Sequence, residues 1–174
     1  MESKTALKNQ GFTLIELLVS LLVISILVSL GYANFRKYAQ KQALWAVARQ
    51  IEGDLRLAQS YAMSGKDASS CSSSGYLYGY KLAKESNSSY SIKLVCRDPN
   101  TSLISDLNMT IPFLRNIPTG FEFEFSPSNN VIFKAVTGGV DSATSINIRR
   151  SSTTSPYILI TVSLTGTISL SYNE

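Results

Sequence analysis

Few side chains in this chain of 174 residues could carry out chemistry. There is no histidine, so neither a Ser–His–Asp nor a Cys–His site can be built from the chain alone. The two cysteines, Cys71 and Cys96, are too few for a zinc site without histidine; they could form a disulfide or stay free thiols. No spacing typical of an EF-hand calcium loop occurs. We therefore expect no bound metal and no cofactor.

Paired carboxylates are a second candidate for chemistry. Glu122 and Glu124 alternate with phenylalanines in a predicted strand, which places both carboxylates on one face. Two carboxylates side by side can act as acid and nucleophile in glycoside hydrolysis. Nothing else in the sequence supports catalysis, and a solvated sheet face accounts for the pair more simply. The chain is not expected to be an enzyme.

Basic residues could contact a polyanion, since the net charge is +4. Arg149 and Arg150 form one of the densest basic positions, and adjacent arginines can contact nucleic-acid phosphates. Two arginines beside a strand are ordinarily part of a solvated face, and no longer basic run occurs. Nucleic acid is therefore not an expected partner, and DNA contact through this pair is kept as a weak alternative.

Glu16 stands at the edge of a long apolar run. Residues 17–35 contain no charged side chain, and about 19 residues in a helix can cross the hydrocarbon core of a bilayer. A carboxylate at the edge of such a segment either snorkels to water or pairs with a cation. Cleavage after Gly11 would supply that cation as a free α-amine on Phe12.

The elements that position these residues begin with a helix. No proline occurs in residues 12–65, and apolar residues recur there at spacings of three and four, which predicts one helix with a buried face. That face contains Leu44, Val47, Ile51, Leu55, Ala58 and Ala62. The other positions are filled by polar and charged residues: Arg49, Glu52, Asp54, Arg56 and Gln59.

After Gly65 the apolar residues alternate with polar ones, a pattern that predicts strands. The predicted strands are 76–80, 90–96, 121–125, 131–136, 146–149, 157–164 and 167–172. Segments rich in Ser, Asn, Gly and Pro separate them, and Thr165-Gly166 fits a tight terminal hairpin. The expected fold class is therefore α+β, with a long N-terminal helix packed on an antiparallel β-sheet domain.

The residues at the start of the apolar run resemble a known motif. Gly11-Phe12-Thr13-Leu14-Ile15-Glu16-Leu17-Leu18-Val19 is similar to the prepilin cleavage and methylation motif of type IV pilins and type II secretion pseudopilins. The resemblance implies cleavage after Gly11 by a prepilin peptidase, N-methylation of Phe12 and a role for Glu16 in subunit docking. It also implies that other pilin or pseudopilin subunits are partners.

The same resemblance implies a domain organisation and a location. Residues 1–11 would be a cleaved leader, and residues 12–65 would form a helix whose first half, about 12–35, spans the cytoplasmic membrane once. Residues 66–174 would form an extracytoplasmic β-rich domain, with the N-terminus in the cytoplasm, before the subunit enters a filament. An extracytoplasmic location favours a disulfide between Cys71 and Cys96.

Further details bear on the kind of subunit. Residues 54–62 resemble the helix end of the GspH/FimT group of pilin-like proteins. Many major pilins carry a helix-kinking proline where this chain has Gly31-Tyr32-Ala33, which favours a minor pilin or pseudopilin. Some FimT-like minor pilins capture DNA through a Gly-Arg-x-Arg motif near the C-terminus, but here the hairpin reads Gly166-Thr167-Ile168-Ser169.

The sequence thus predicts a structural subunit of a type IV pilus or a type II secretion filament. A FimT-like minor pilin that binds DNA is the alternative. The motif is common to both kinds of filament, so it does not separate pilus from secretion pseudopilus, nor a tip position from a shaft position.

Overall fold

The computed structural model describes residues 13–71, 75–107 and 113–173, and for residues 30–34 it describes the backbone alone. The chain divides into two compact units, residues 1–41 and residues 42–174. The N-terminal unit is helical where it is described, and the C-terminal unit contains the end of the helix and all the described strands.

Helix α1 extends over Leu14–Ser64, within the predicted bounds 12–65. At its start the Thr13 hydroxyl accepts a hydrogen bond from the Glu16 backbone N–H at 3.3 Å, which satisfies one of the unpaired donors of the first turn. At its end Gly65 adopts a positive φ of 63°, the left-handed conformation that commonly terminates a helix.

Nine strands follow a short 3₁₀ turn at Ala68–Cys71. They are β1 (Tyr76–Ser86), β2 (Ser89–Arg97), β3 (Ile104–Leu107), β4 (Phe113–Asn116), β5 (Phe121–Ser126), β6 (Asn130–Lys134), β7 (Thr144–Arg150), β8 (Tyr157–Val162) and β9 (Ile168–Asn173). The first sheet has the order β3-β2-β1-β6, and β4 also pairs with β2; the second has the order β5-β7-β8-β9. All pairings are antiparallel, as expected.

The C-terminal part of α1 and both sheets enclose one hydrophobic core. The helix face predicted from the sequence is confirmed, because each of its six residues is at most 2% exposed. The opposing sheet residues are mainly β-branched and aromatic, as is typical of strands that pack on one face. They include Leu82, Ile92, Phe133, Ile146, Ile148, Ile158 and Ile160. The predicted α+β class, a helix packed on antiparallel sheets, is confirmed.

Two short strands differ from the sequence prediction. β3 begins inside a segment predicted as loop, and β4 was not predicted at all. Both have four residues, and both pair with the same side of β2, β3 with its C-terminal half and β4 with its N-terminal half. Strands this short carry too few residues to show a period, so only the tertiary pairing reveals them.

Candidate assembly site

The N-terminal unit exposes an apolar surface on all sides. Every side chain described from Leu14 to Ser29 is exposed, and the large apolar ones are 48–78% exposed. A helix that is hydrophobic all round is normally buried, either in a protein core or in a membrane. This helical segment therefore has a surface that favours burial in surroundings that the isolated chain does not provide.

Three serine hydroxyls in this segment form hydrogen bonds to the backbone of the same helix. Ser20, Ser25 and Ser29 each donate to the carbonyl three residues earlier, at 2.8–2.9 Å. A hydroxyl bonded back to its own helix loses little when water is removed, whereas an unbonded one would be costly to bury. The serines are thus compatible with an apolar environment around the helix.

Glu16 is the exception within this surface. Its side chain is exposed in the first turn of α1, where a negative charge interacts favourably with the helix dipole. Among the described residues no cation forms an ion pair with it. Gly11 and Phe12, which the sequence associates with cleavage and methylation, lie outside the described residues.

Within the described residues, no helix combines the length and the apolar character that crossing a membrane requires. The span predicted for about residues 12–35 is therefore not confirmed by the structure and stays a prediction.

The two cysteines meet in the C-terminal unit. Cys71 and Cys96 form a disulfide with their Cα atoms 5.5 Å apart, and both are fully buried. The bond ties the 3₁₀ turn that follows α1 to the end of β2. It therefore links two segments that are 25 residues apart in sequence.

Reduction of this disulfide is expected to lower the free energy of unfolding by about 3–4 kcal/mol, because closing a loop of this length restricts the unfolded chain. The measurement is denaturant unfolding of the full chain in detergent, with and without reductant. A Cys71→Ala, Cys96→Ala double variant is the control and should not respond to reductant. An unchanged unfolding midpoint after complete reduction of the wild type would contradict the expectation.

The arginines considered for phosphate binding lie on the second sheet. Arg149 is paired in register with Glu122, and its guanidinium is 3.9 Å from the carboxylates of both Glu122 and Glu124. Two acidic neighbours offset its charge and would repel a phosphate. The structure gives DNA binding through Arg149 and Arg150 no specific support, and the two glutamates form a charged sheet face with the arginine between them.

Comparisons with known proteins bear on both units. The family model described as the prokaryotic N-terminal methylation motif matches residues 7–32. The crystal structure of the type IV minor pilin FimU from Pseudomonas aeruginosa, strain PAO1, matches with a TM-score of 0.55 at 13% identity, covering 77% of this chain and 92% of that chain. A second crystal form of FimU gives 0.52 at 14% identity, covering 74% and 92%. The fold is type IV pilin-like. The resemblance predicted from residues 11–19 is thereby confirmed.

Two further comparisons complete this picture. The minor pseudopilin EpsH from the Type 2 Secretion System of Vibrio cholerae matches with a TM-score of 0.46 at 11% identity, over 74% of this chain and 96% of that chain. Among curated proteins, no sequence matches the chain.

The position predicted for Asp54 from the sequence was wrong, because this residue is part of a buried polar cluster. Asp54, which the sequence places outside the buried apolar face, is only 6% exposed. The Tyr90 hydroxyl donates to its carboxylate at 2.5 Å, and the Arg115 guanidinium donates to both carboxylate oxygens at 3.3 Å. Burial, and then the hydrogen bond to Asp54, raises the pKa of Tyr90, so the hydroxyl remains protonated at neutral pH.

The signal for Asp54 was present in the helical spacing. It lies three residues after Ile51 and four before Ala58, both of which belong to the buried face. A charged residue at such a position needs a partner, and here the partners come from β2 and β4. The cluster therefore attaches the short strand β4 to α1.

A second contact joins α1 to two loops. The Gln59 side-chain amide donates to the carbonyls of Gly138 and Gly166, both at 3.0 Å. Gly138 lies between β6 and β7, and Gly166 lies in the hairpin between β8 and β9. One helical side chain thus holds two turns that are 79 and 107 residues distant in sequence.

Proposed function

We propose that the protein is a structural subunit, a minor pilin or pseudopilin, of a type IV pilus or a type II secretion filament. The observation that carries the proposal is the helix surface at Leu14–Val28, which is apolar on all sides and exposed, and which lies within the segment that the methylation-motif model matches. Such a surface suits a segment that first lies in a membrane and then packs among the helices of other subunits. The fold shared with FimU supports the same proposal.

The proposed pathway begins with processing. A prepilin peptidase cuts after Gly11 and methylates the new amine of Phe12. Before assembly, residues of about 12–35 anchor the subunit in the cytoplasmic membrane, with its N-terminus facing the cytoplasm and residues 66–174 outside. During assembly, Glu16 of one subunit pairs with the Phe12 amine of a neighbour, because a carboxylate in apolar surroundings needs a cation. The role is structural rather than catalytic.

Substituting Gly11 tests this pathway. A Gly11→Val variant is expected to remain as a precursor in the membrane, because a β-branched side chain at the cut would obstruct the peptidase. Wild type should appear as a chain that begins at N-methylated Phe12, as measured by intact mass of protein extracted from membranes and from sheared filaments.

The matched control for processing is Asn9→Ala, a change two residues before Gly11, which should be processed like wild type. Wild-type protein that retains residues 1–11 in assembled filaments would contradict the proposed function.

A further inference from the structure

A band of cations and aromatic residues follows the uncharged segment of α1. Phe35, Arg36, Lys37, Tyr38 and Lys41 occur within seven residues, and the structure exposes all of them. We call these five residues the interfacial ring. At about 100° per residue, positions 35–38 alone cover the whole circumference of the helix. The five residues together thus surround the helix, with the three cations on an arc of about 140° and the two aromatic residues on the remainder.

The ring lies in a segment from which negative charge is absent. Between Glu16 and Glu52 the sequence contains no acidic residue, while Arg36, Lys37 and Lys41 all fall in that interval. This part of the helix therefore attracts anions and repels cations at long range.

The spacing along α1 matches the layers of a bilayer. The 20 residues from Glu16 to Arg36 rise about 30 Å, which is the thickness of the hydrocarbon core. The ring itself, from Phe35 to Lys41, rises about 9 Å, enough to extend through one headgroup layer of about 5–7 Å. Aromatic and basic side chains are the residues that anchor a helix at this depth.

We propose that the interfacial ring binds anionic phospholipid headgroups on the side of the membrane opposite to Glu16. The proposal rests on the membrane-anchored stage of the proposed function. Lipid is favoured over a protein partner because a neighbouring subunit would cover one face of the helix, whereas headgroups surround it, as these residues do. The ring fixes the depth of the anchor, which in turn holds Glu16 at the opposite boundary of the hydrocarbon core, ready to dock.

The experiment is a competition between two vesicle populations. Full-length protein in detergent is mixed with vesicles of phosphatidylcholine and with vesicles of equal parts phosphatidylcholine and phosphatidylglycerol, each carrying a different dye. After detergent removal the vesicles are separated and the protein in each is measured. Wild type should favour the anionic vesicles by about tenfold or more, and salt should reduce that preference.

The test variant is the triple change Arg36→Gln, Lys37→Gln, Lys41→Gln, which should distribute evenly. The matched control is Lys66→Gln, Lys84→Gln, Arg150→Gln, which removes the same charge from the C-terminal unit and should keep the wild-type preference.

Two outcomes would overturn the proposal. In the first, the ring variant keeps the preference of wild type; if it also loses chemical crosslinking between subunits in phosphatidylcholine vesicles, the cations act on a neighbouring chain. In the second, wild type inserts equally into both vesicle populations, which contradicts headgroup binding by the ring but leaves the proposed function intact. If wild type enters neither population, the membrane stage of the proposed function fails with it.

Discussion

The Glu16→Ala variant is expected to be cleaved and retained in the membrane but to fall at least about tenfold in sheared filaments, since a buried charge pair loses most when one partner is removed. Alanine removes the cost of placing a carboxylate near lipid, so insertion and cleavage should survive. What disappears is the proposed pair with the Phe12 amine of a neighbouring subunit. The measurement is the ratio of processed protein in the filament fraction to that in the membrane fraction.

Two further variants decide what Glu16 contributes. Glu16→Gln keeps the shape and removes the charge, so it should resemble the alanine variant if pairing is the role. Glu52→Ala is the matched control, since Glu52 lies on the same helix and, within the described part of the chain, forms an ion pair with the exposed Arg56. Surface pairs contribute little, so this variant should assemble normally. Normal assembly of Glu16→Ala would mean that Glu16 merely snorkels to water.

The Gly166→Ala variant is expected to lower the free energy of unfolding by about 2–4 kcal/mol, the range for strained backbone combined with overpacking. Gly166 has a φ of 82°, which side chains rarely adopt. A Cβ there would lie in direct overlap with the Gly138 carbonyl oxygen and would crowd the Gln59 amide. The substitution would therefore displace the contact that holds both loops to α1. Denaturant unfolding of the full chain in detergent measures the loss.

The chain offers two glycines as controls for this result. Gly53 is helical and has nothing within 4 Å of a Cβ, so Gly53→Ala should stabilise the protein by up to about 1 kcal/mol. Gly120 has a φ of 89° and equally open surroundings, so Gly120→Ala isolates the backbone strain and should cost less than Gly166→Ala. Equal losses at Gly120 and Gly166 would show that crowding against Gly138 contributes nothing.

The two units are expected to respond differently to substitution, because different interactions bury their apolar residues. In the C-terminal unit stability comes from a closed core, a disulfide and buried polar contacts. In the N-terminal unit the described apolar side chains are exposed, so their burial depends on what surrounds the helix. Changes at Gly166 or at the cysteines should therefore act on stability, and changes at Gly11 or Glu16 should act on processing and assembly.

The sequence by itself determined the features that depend on neighbouring residues. The motif at residues 11–19 is contiguous, so it could be recognised without a structure, and the matching family model covers the same region. The buried face of α1 follows from a helical period of 3.6, which each turn repeats locally. Most of the long strands showed their alternation for the same reason, and two cysteines leave one possible intramolecular pair.

Only the tertiary structure decided the contacts between distant segments. Asp54 meets Tyr90 and Arg115 across 36 and 61 residues, and Gln59 reaches Gly138 and Gly166 across still longer separations. Such partners leave no periodic signal, because the chain between them can be arranged in many ways before it folds. For the same reason β3 and β4 became visible only through their pairing with β2, and Arg149 was found between two glutamates only once β5 and β7 were aligned.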